Sequence, residues 1–236
     1  MSNILFDGIM AKSDPSEVEG LSRFFKTAPG QYGEGDRFLG IKVPQTRAVV
    51  KKCWSAVTFG DLEECIGNEY HEMRLAALLA LVEMFSHAKK DMDLRQRCVD
   101  FYLSHTDRIN NWDLVDLSCY PLLGVWLLDK ERSVLYDLAR SGKTIWEQRI
   151  GMVSTMTFIR HGQLDDTFAI ADILLHHEHD LIQKAVGWLL REAGKRDKAT
   201  LVTFLEPRHQ SMPRTMLRYA IEKFPEQERR SYLKKE

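Results

Sequence analysis

The sequence lacks most of the features that announce a function at first sight. Its four cysteines, Cys53, Cys65, Cys98 and Cys119, form no CxxC pair. Neither a disulfide framework nor a zinc site is expected, and scattered thiols suit a reducing, cytoplasmic setting. Between Met1 and Met10 no basic segment leads into a long apolar one, so a secretory leader is not expected. The longest apolar run, Leu122 to Leu128, falls far short of the ~20 residues that span a bilayer, so no membrane partner is expected. No stretch sustains the alternation of a half-buried strand. Gly33-Glu34-Gly35 is no phosphate loop, because no strand precedes it and no Gly-Lys-Ser/Thr follows. There is no GxSxG motif and no readable cysteine–histidine pair. In His176-His177-Glu178-His179 adjacent histidines point in different directions on a helix, and no further ligand stands at metal spacing.

Excess charge is also missing. The formal net charge of −1 does not mark a nucleic-acid binder. The distribution is less even. From Arg37 to Lys52 the charged residues are Arg37, Lys42, Arg47, Lys51 and Lys52, with no acid among them. Acids dominate from Asp61 to Asp93, and bases again from Arg191 onward. Such asymmetry can put a cationic face on a nearly neutral protein; ordinary helix surfaces of mixed charge are the alternative.

What is present is apolar content and helical periodicity. With 236 residues, 44 % of them hydrophobic, the chain can bury a sizeable core. Ser13-Asp14-Pro15 predicts the start of a helix running to about Lys26, and Pro44 opens one to about Trp54. Asp61 is expected to cap a short helix. Glu69–Ser86 is a strong helix by the spacing of Ala76, Leu79, Ala80, Glu83 and Met84. Further helices are expected at 91–104, 111–120, 131–141, 144–160, 165–176, 180–195, 197–205, 213–224 and 225–235. The one long loop runs from Thr27 to Val43. Short connections elsewhere suggest helix pairs packed side by side in a single domain over residues 1–236. Trp112, Arg149 and Trp188 recur at intervals of 37 and 39 residues, slightly under the ~40–47 of HEAT-type pairs. The expected fold is therefore all-α, a solenoid superhelix of HEAT-like helix pairs, about six of them, with a concave face.

Three helices could carry chemistry. In Asn110-Asn111-Trp112-Asp113-Leu114-Val115-Asp116, the indole of Trp112 and the carboxylate of Asp116 stand at i and i+4 and share a face, with Leu114, Val115 and Leu117 expected on the core side. Asp113 looks like a helix-start acid that serves the dipole. Asp116 is deeper, and either functional or structural. In Gln183 to Lys195, Trp188, Arg191 and Lys195 fall on one face, with Val186, Leu189, Leu190 and Ala193 on the core side. Such a face suits a nucleic-acid groove, although a lone tryptophan also seals helix seams. In Trp146-Glu147-Gln148-Arg149, Trp146, Ile150 and Val153 make the core stripe. Arg149 at its edge can meet a phosphate or an acid on a neighbouring helix.

Together these segments resemble the AlkD-type DNA alkylation repair family, alkylpurine DNA glycosylases of HEAT-like repeat fold. The resemblance rests on Phe38-Leu39-Gly40-Ile41-Lys42-Val43-Pro44 with Arg47, on Asn111 to Asp116, on Trp146 to Arg149, on Gln183 to Glu192 and on Met212-Pro213-Arg214, in family order. It implies that Asp116 is the catalytic aspartate, that Trp112 and Trp188 flank the lesion nucleotide and that Arg149 contacts the DNA backbone. It implies cofactor-free hydrolysis of the N-glycosidic bond of N7-alkylguanine and N3-alkyladenine, with capture through the backbone on an open concave surface. Asn111 stands where some members carry a second tryptophan. Lys42, Arg191, Lys195 and Arg214 are the further expected DNA contacts. The expected partner is double-stranded DNA containing alkylated bases, met by a monomer. A non-catalytic module for DNA structure or a protein partner, and a peptide scaffold, are the alternatives.

Overall fold

A computed structural model describes residues 3–234. Among them there is no β-strand, and backbone pairing outside helices amounts to an isolated bridge between Arg37 and Tyr70. The chain divides into two compact units, one ending at Ser118 and the other starting at Cys119.

The first unit holds α1 (Ile4–Met10), α2 (Val18–Phe24), α3 (Val43–Cys53), α4 (Phe59–Ile66), α5 (His71–Ala88), α6 (Met92–Ser104) and α7 (Trp112–Cys119, ending at the unit boundary). Three of these starts, those of α1, α4 and α6, and the short turn Pro15–Glu17 before α2 are fixed by side-chain caps, each satisfying amide donors that the first turn leaves open. Asn3 accepts from the amides of Leu5 and Phe6, Asp14 from Ser16, and Asp91 from Leu94. The expected cap at Asp61 is displaced: Thr58 caps α4, and Asp61 answers it from the third helical position in a reciprocal capping box. α1 is seven residues that the periodicity did not mark; Leu5 and Ile9 bury it against α3, α4 and α5.

α5 is the centre of this unit, packed by α1, α3, α4 and α6. Every residue from His71 to Leu81 is buried, so the helix has no polar face there. That burial includes His71, Glu72 and Arg74, whose ionisable groups must find partners inside the protein.

The second unit opens with a π-helical turn at Tyr120–Gly124. It then holds α8 (Ser133–Ser141), α9 (Ile145–Val153), α10 (Met156–Arg160), α11 (Asp165–Ile173), α12 (Asp180–Arg196), α13 (Lys198–Leu205), α14 (Arg214–Ala220) and α15 (Glu226–Leu233). Lys235, the expected end of the last helix, lies outside the described residues. α12 packs on α14, α9, α13 and α11. Its approach to α14 is close at Gly187, where a Cβ would fall 2.5 Å from the Met216 carbonyl oxygen. The helix expected over 144–160 is broken at Ser154 and Thr155. Their hydroxyls donate to the carbonyls of Ile150 and Met152, an alternative to the regular ladder that favours a break.

No helix among the described residues is long and apolar enough to cross a membrane.

Candidate active site

Three polar residues of α5 organise the first unit. The Glu72 carboxylate is buried and accepts from the backbone amides of Leu39, Gly40 and Ile41 at 2.9, 3.0 and 3.0 Å. These three donors replace the water that the carboxylate gave up. They also pin the end of the long loop, the segment that carries Phe38 and leads into α3. Gly40 has φ +86°, and a Cβ there would lie 1.9 Å from the Asp14 carbonyl oxygen, so the turn requires glycine.

His71 is 1 % exposed, and both ring nitrogens meet carboxylates. Nδ1 lies 2.9 Å from Asp36 Oδ2, and Nε2 lies 2.9 Å from Asp113 Oδ2. Burial disfavours its charge, but Asp113 and Asp36 outweigh that and hold the imidazolium up to a pKa of about 9. The ring lies between Phe25 and Phe38, with centroids at 4.7 and 4.8 Å. Arg74 completes the cluster through an ion pair with Asp36. Burial pulls the Asp36 pKa upward, yet the His71 hydrogen bond and the Arg74 charge bring it below the ordinary carboxylate value. Asn111 Nδ2 reaches the same aspartate at 3.4 Å.

α7 is tied to this cluster by Asp113. Asp113 is a first-turn acid as expected, but it is 2 % exposed and one carboxylate oxygen faces His71, a role the sequence did not suggest. Its other oxygen accepts from the Leu114 amide at 2.9 Å. One turn on, Asp116 is half-buried, and with Trp112 it lines a cavity of about 390 Å³. Leu114 and Val115 are buried on the opposite side, whereas Leu117, expected with them on the core side, is half-buried and lines the cavity beside Trp112 and Asp116. Phe24, Phe25 and Phe38 complete an aromatic wall: Phe25 stacks on Trp112 at 5.6 Å, and Phe24 meets the same indole edge-on at 5.9 Å. Lys42 is also on the wall, with its ammonium 2.9 Å from Glu17.

In the second unit, Val186, Leu189, Leu190 and Ala193 bury the core side of α12 as the sequence predicts. Trp188 is half-buried and lines a second cavity, of about 440 Å³, with Arg160, Glu192, Lys195 and Arg196. Arg191 is paired with Glu222 and Glu192, and Lys195 with Glu192 at 2.7 Å. Arg149, expected at the edge of its helix, is only 6 % exposed and donates to the Leu181 carbonyl. Arg214 donates to the Leu233 carbonyl. The candidate cations of this unit are thus held by internal partners.

Sequence reading did not single out Asp36, His71, Glu72, Arg74, Phe24 or Phe25. A signal existed for three of them. Ionisable groups at the start of a helix that is apolar on every side have no water to face and need internal partners. Among the described residues no three histidine, cysteine, aspartate or glutamate side chains gather so as to hold a metal ion.

Comparison with known proteins follows the same lines. No curated protein matches the chain. Among solved structures, one described as "Predicted DNA alkylation repair enzyme from Enterococcus faecalis" superposes with a TM-score of 0.68 at 15 % identity, covering 91 % of this chain and 98 % of that one. At that identity it shows a shared fold. The model of the family described as DNA alkylation repair enzyme matches residues 8–224, nearly the whole length, and the chain belongs to that family.

Proposed function

We propose that this member is a DNA glycosylase that hydrolyses the N-glycosidic bond of cationic alkylated purines, N7-alkylguanine and N3-alkyladenine, in double-stranded DNA. The observation that carries the reading is the placement of Asp116 and Trp112 on one face of α7 and on the wall of one cavity. The family's repair role is compatible with it.

An alkylated purine is already positively charged, so it departs with the bonding electron pair and needs no strong general acid. The sugar left behind resembles an oxocarbenium ion. The Asp116 carboxylate stabilises that charge and takes a proton from the attacking water, as one carboxylate does in glycoside hydrolysis. Trp112 supplies an apolar surface beside the sugar. The reaction as written needs no cofactor. Trp188 is assigned, like Trp112, to the lesion nucleotide, and Arg149, Arg191, Lys195, Arg214 and Lys42 to DNA binding. Lys42 reaches a phosphate by exchanging Glu17, a small loss for a surface pair worth about 0–1 kcal/mol; Arg191 and Lys195 give up the less exposed Glu192, and Arg191 also Glu222.

The test is incubation with a duplex carrying a single N7-methylguanine, followed by chromatography of the released base. Release above the spontaneous rate, lost in Asp116→Asn, supports the reading. No release from any alkylpurine leaves a non-catalytic DNA-binding module as the better account.

A further inference from the structure

The second unit holds two arginines that neither the sequence nor the family resemblance singled out. Arg160 ends α10, Arg196 ends α12, and both are exposed. Among the described residues neither makes an ion pair, whereas Arg191 and Lys195 both do. Arg160 is nevertheless held in place. Its guanidinium lies over the ring of Tyr120, 4.8 Å from the centroid, which leaves its N–H edges free to donate. Tyr120 is itself fixed by the Thr157 hydroxyl, which donates to its carbonyl at 2.6 Å. Both arginines line the cavity of about 440 Å³ beside Trp188. The α12 spacing of Trp188, Glu192, Lys195 and Arg196 puts these four on one face. The lining therefore carries three cations and one carboxylate, and that carboxylate is already shared by Lys195 at 2.7 Å and Arg191 at 3.3 Å. The charge of Arg160 and Arg196 is left uncompensated. Two guanidinium forks match the oxygens of a phosphate, and an indole beside them offers a flat apolar face to a sugar. A cation at a helix C-terminus also serves the dipole, but that role needs neither a shared cavity nor a tyrosine under the guanidinium.

We propose that Arg160 and Arg196, with Lys195, seat one phosphodiester of the DNA strand whose sugar rests against Trp188, and that Tyr120 positions Arg160 for it. The DNA strand as the source of the phosphate rests on the glycosylase reading; the preference for a phosphate rests on the cavity. A seat for one particular phosphate does more than attract the duplex. It fixes the register of the strand, which charge spread along a helix face does not do. Arg149 and Arg214, the arginines that the sequence put forward, donate instead to the backbone carbonyls of Leu181 and Leu233. Arg160 and Arg196 have no such bond to give up.

The experiment pairs substitutions in the protein with neutral linkages in the DNA. The full chain is titrated against labelled duplexes carrying one N7-methylguanine on a 2′-fluoro sugar, which resists hydrolysis, with anisotropy as the readout. In a series of these duplexes one phosphodiester at a time is replaced by an uncharged methylphosphonate. For the parent, one linkage near the lesion should cost about tenfold in affinity and its neighbours much less. Arg160→Ala and Arg196→Ala should each weaken binding to the fully charged duplex about tenfold and lower the salt slope by about one. Their further loss at that one linkage should shrink toward none, while the losses at other linkages stay as in the parent. Both positions are exposed, so the variants should fold. Tyr120→Leu should act as a milder Arg160→Ala, and Tyr120→Phe, which keeps the ring, should bind as the parent does. Parental affinity in either arginine variant, or a lowered affinity with the parent's sensitivity at every linkage, overturns the seat. Parental affinity in Tyr120→Leu overturns the positioning role. Base release without this coupling sinks the inference alone; coupling without base release sinks the glycosylase reading and leaves the seat.

Discussion

Asp113 Oδ2 stands 2.9 Å from His71 Nε2, and this contact joins the helix that carries Asp116 to the buried centre of the first unit. Asp36 closes the same imidazole from its other nitrogen. An imidazolium can donate to both carboxylates at once, which a neutral ring cannot. Removing one partner of such a buried pair leaves the other's charge uncompensated, at a cost of about 3–5 kcal/mol. Asp113→Asn and His71→Asn should each lower the unfolding free energy from urea denaturation by that order, with a largely unchanged slope. A loss of only a few tenths of a kcal/mol would show Asp113 to be an ordinary helix-start acid.

The same cluster predicts a pH dependence. His71 is raised from 6.5 to about 9 in the folded chain. Its stabilisation is fully present below about pH 6.5 and is lost as pH rises through 9, because the folded state holds a proton that the unfolded chain releases. The difference in unfolding free energy between the parent and His71→Asn should therefore be largest near pH 6. It should shrink by about 3 kcal/mol toward pH 10. Comparing the two proteins matters because His177 and His179, lowered mainly by burial, act in the opposite direction. A gap that stays constant with pH argues for a neutral His71.

The α7 face was legible because i and i+4 geometry alone puts Trp112 beside Asp116, and Leu114 and Val115 opposite. The long loop was legible from its glycines. What holds them was not. Asp36 and His71 are 35 residues apart in sequence, and Glu72 reaches amides more than 30 residues away. No periodicity couples a loop aspartate to a helix histidine. The helix break at Ser154 was hidden for a different reason: the hydroxyls that divert the carbonyls sit in a stretch whose apolar spacing is uninterrupted. Arg149, expected on the edge of a core stripe, is buried with it, because α12 presents to it the Leu181 carbonyl, a tertiary fact that no local pattern carries.

The grip of Glu72 on the loop gives a further outcome. Glu72→Gln keeps the size of the side chain but replaces an acceptor oxygen by a donor amide that faces a backbone N–H. At least one of the amides of Leu39, Gly40 and Ile41 then loses its partner. The expected cost is about 1–3 kcal/mol. Amide exchange at residues 39–41 should accelerate far more than in α12. Uniform acceleration along the chain would mean that Glu72 has no special hold on this segment.

The paired cations predict how salt and charge act on DNA binding. Arg191 and Lys195 share Glu192, and Arg191 also holds Glu222. If both reach phosphates, replacing them with alanine should weaken binding to any duplex about equally and lower the salt slope by about one per lost contact. Glu192→Gln should act in reverse, freeing Lys195, leaving Arg191 with Glu222 alone, and tightening binding. A Glu192→Gln variant that binds no tighter would mean that these cations stay with their internal partners.

Asp116→Asn bears most directly on catalysis. The substitution preserves side-chain size at a half-buried position, so the fold should survive. It removes the one negative charge proposed to face the sugar as the base departs. Base release in single-turnover assays should fall about a hundredfold or more, the scale of losing one well-placed electrostatic group. Affinity for an undamaged duplex should hold or rise, since a charge that repels phosphates is gone. Asp113→Asn, by contrast, should lose stability first, and its rate should recover under conditions that keep it folded. Trp112→Ala should reduce release while leaving the His71 cluster intact, because the indole touches Phe24 and Phe25 rather than either carboxylate. If Asp116→Asn released base at the parental rate while a folded Asp113→Asn did not, the reacting carboxylate would be the one bonded to His71.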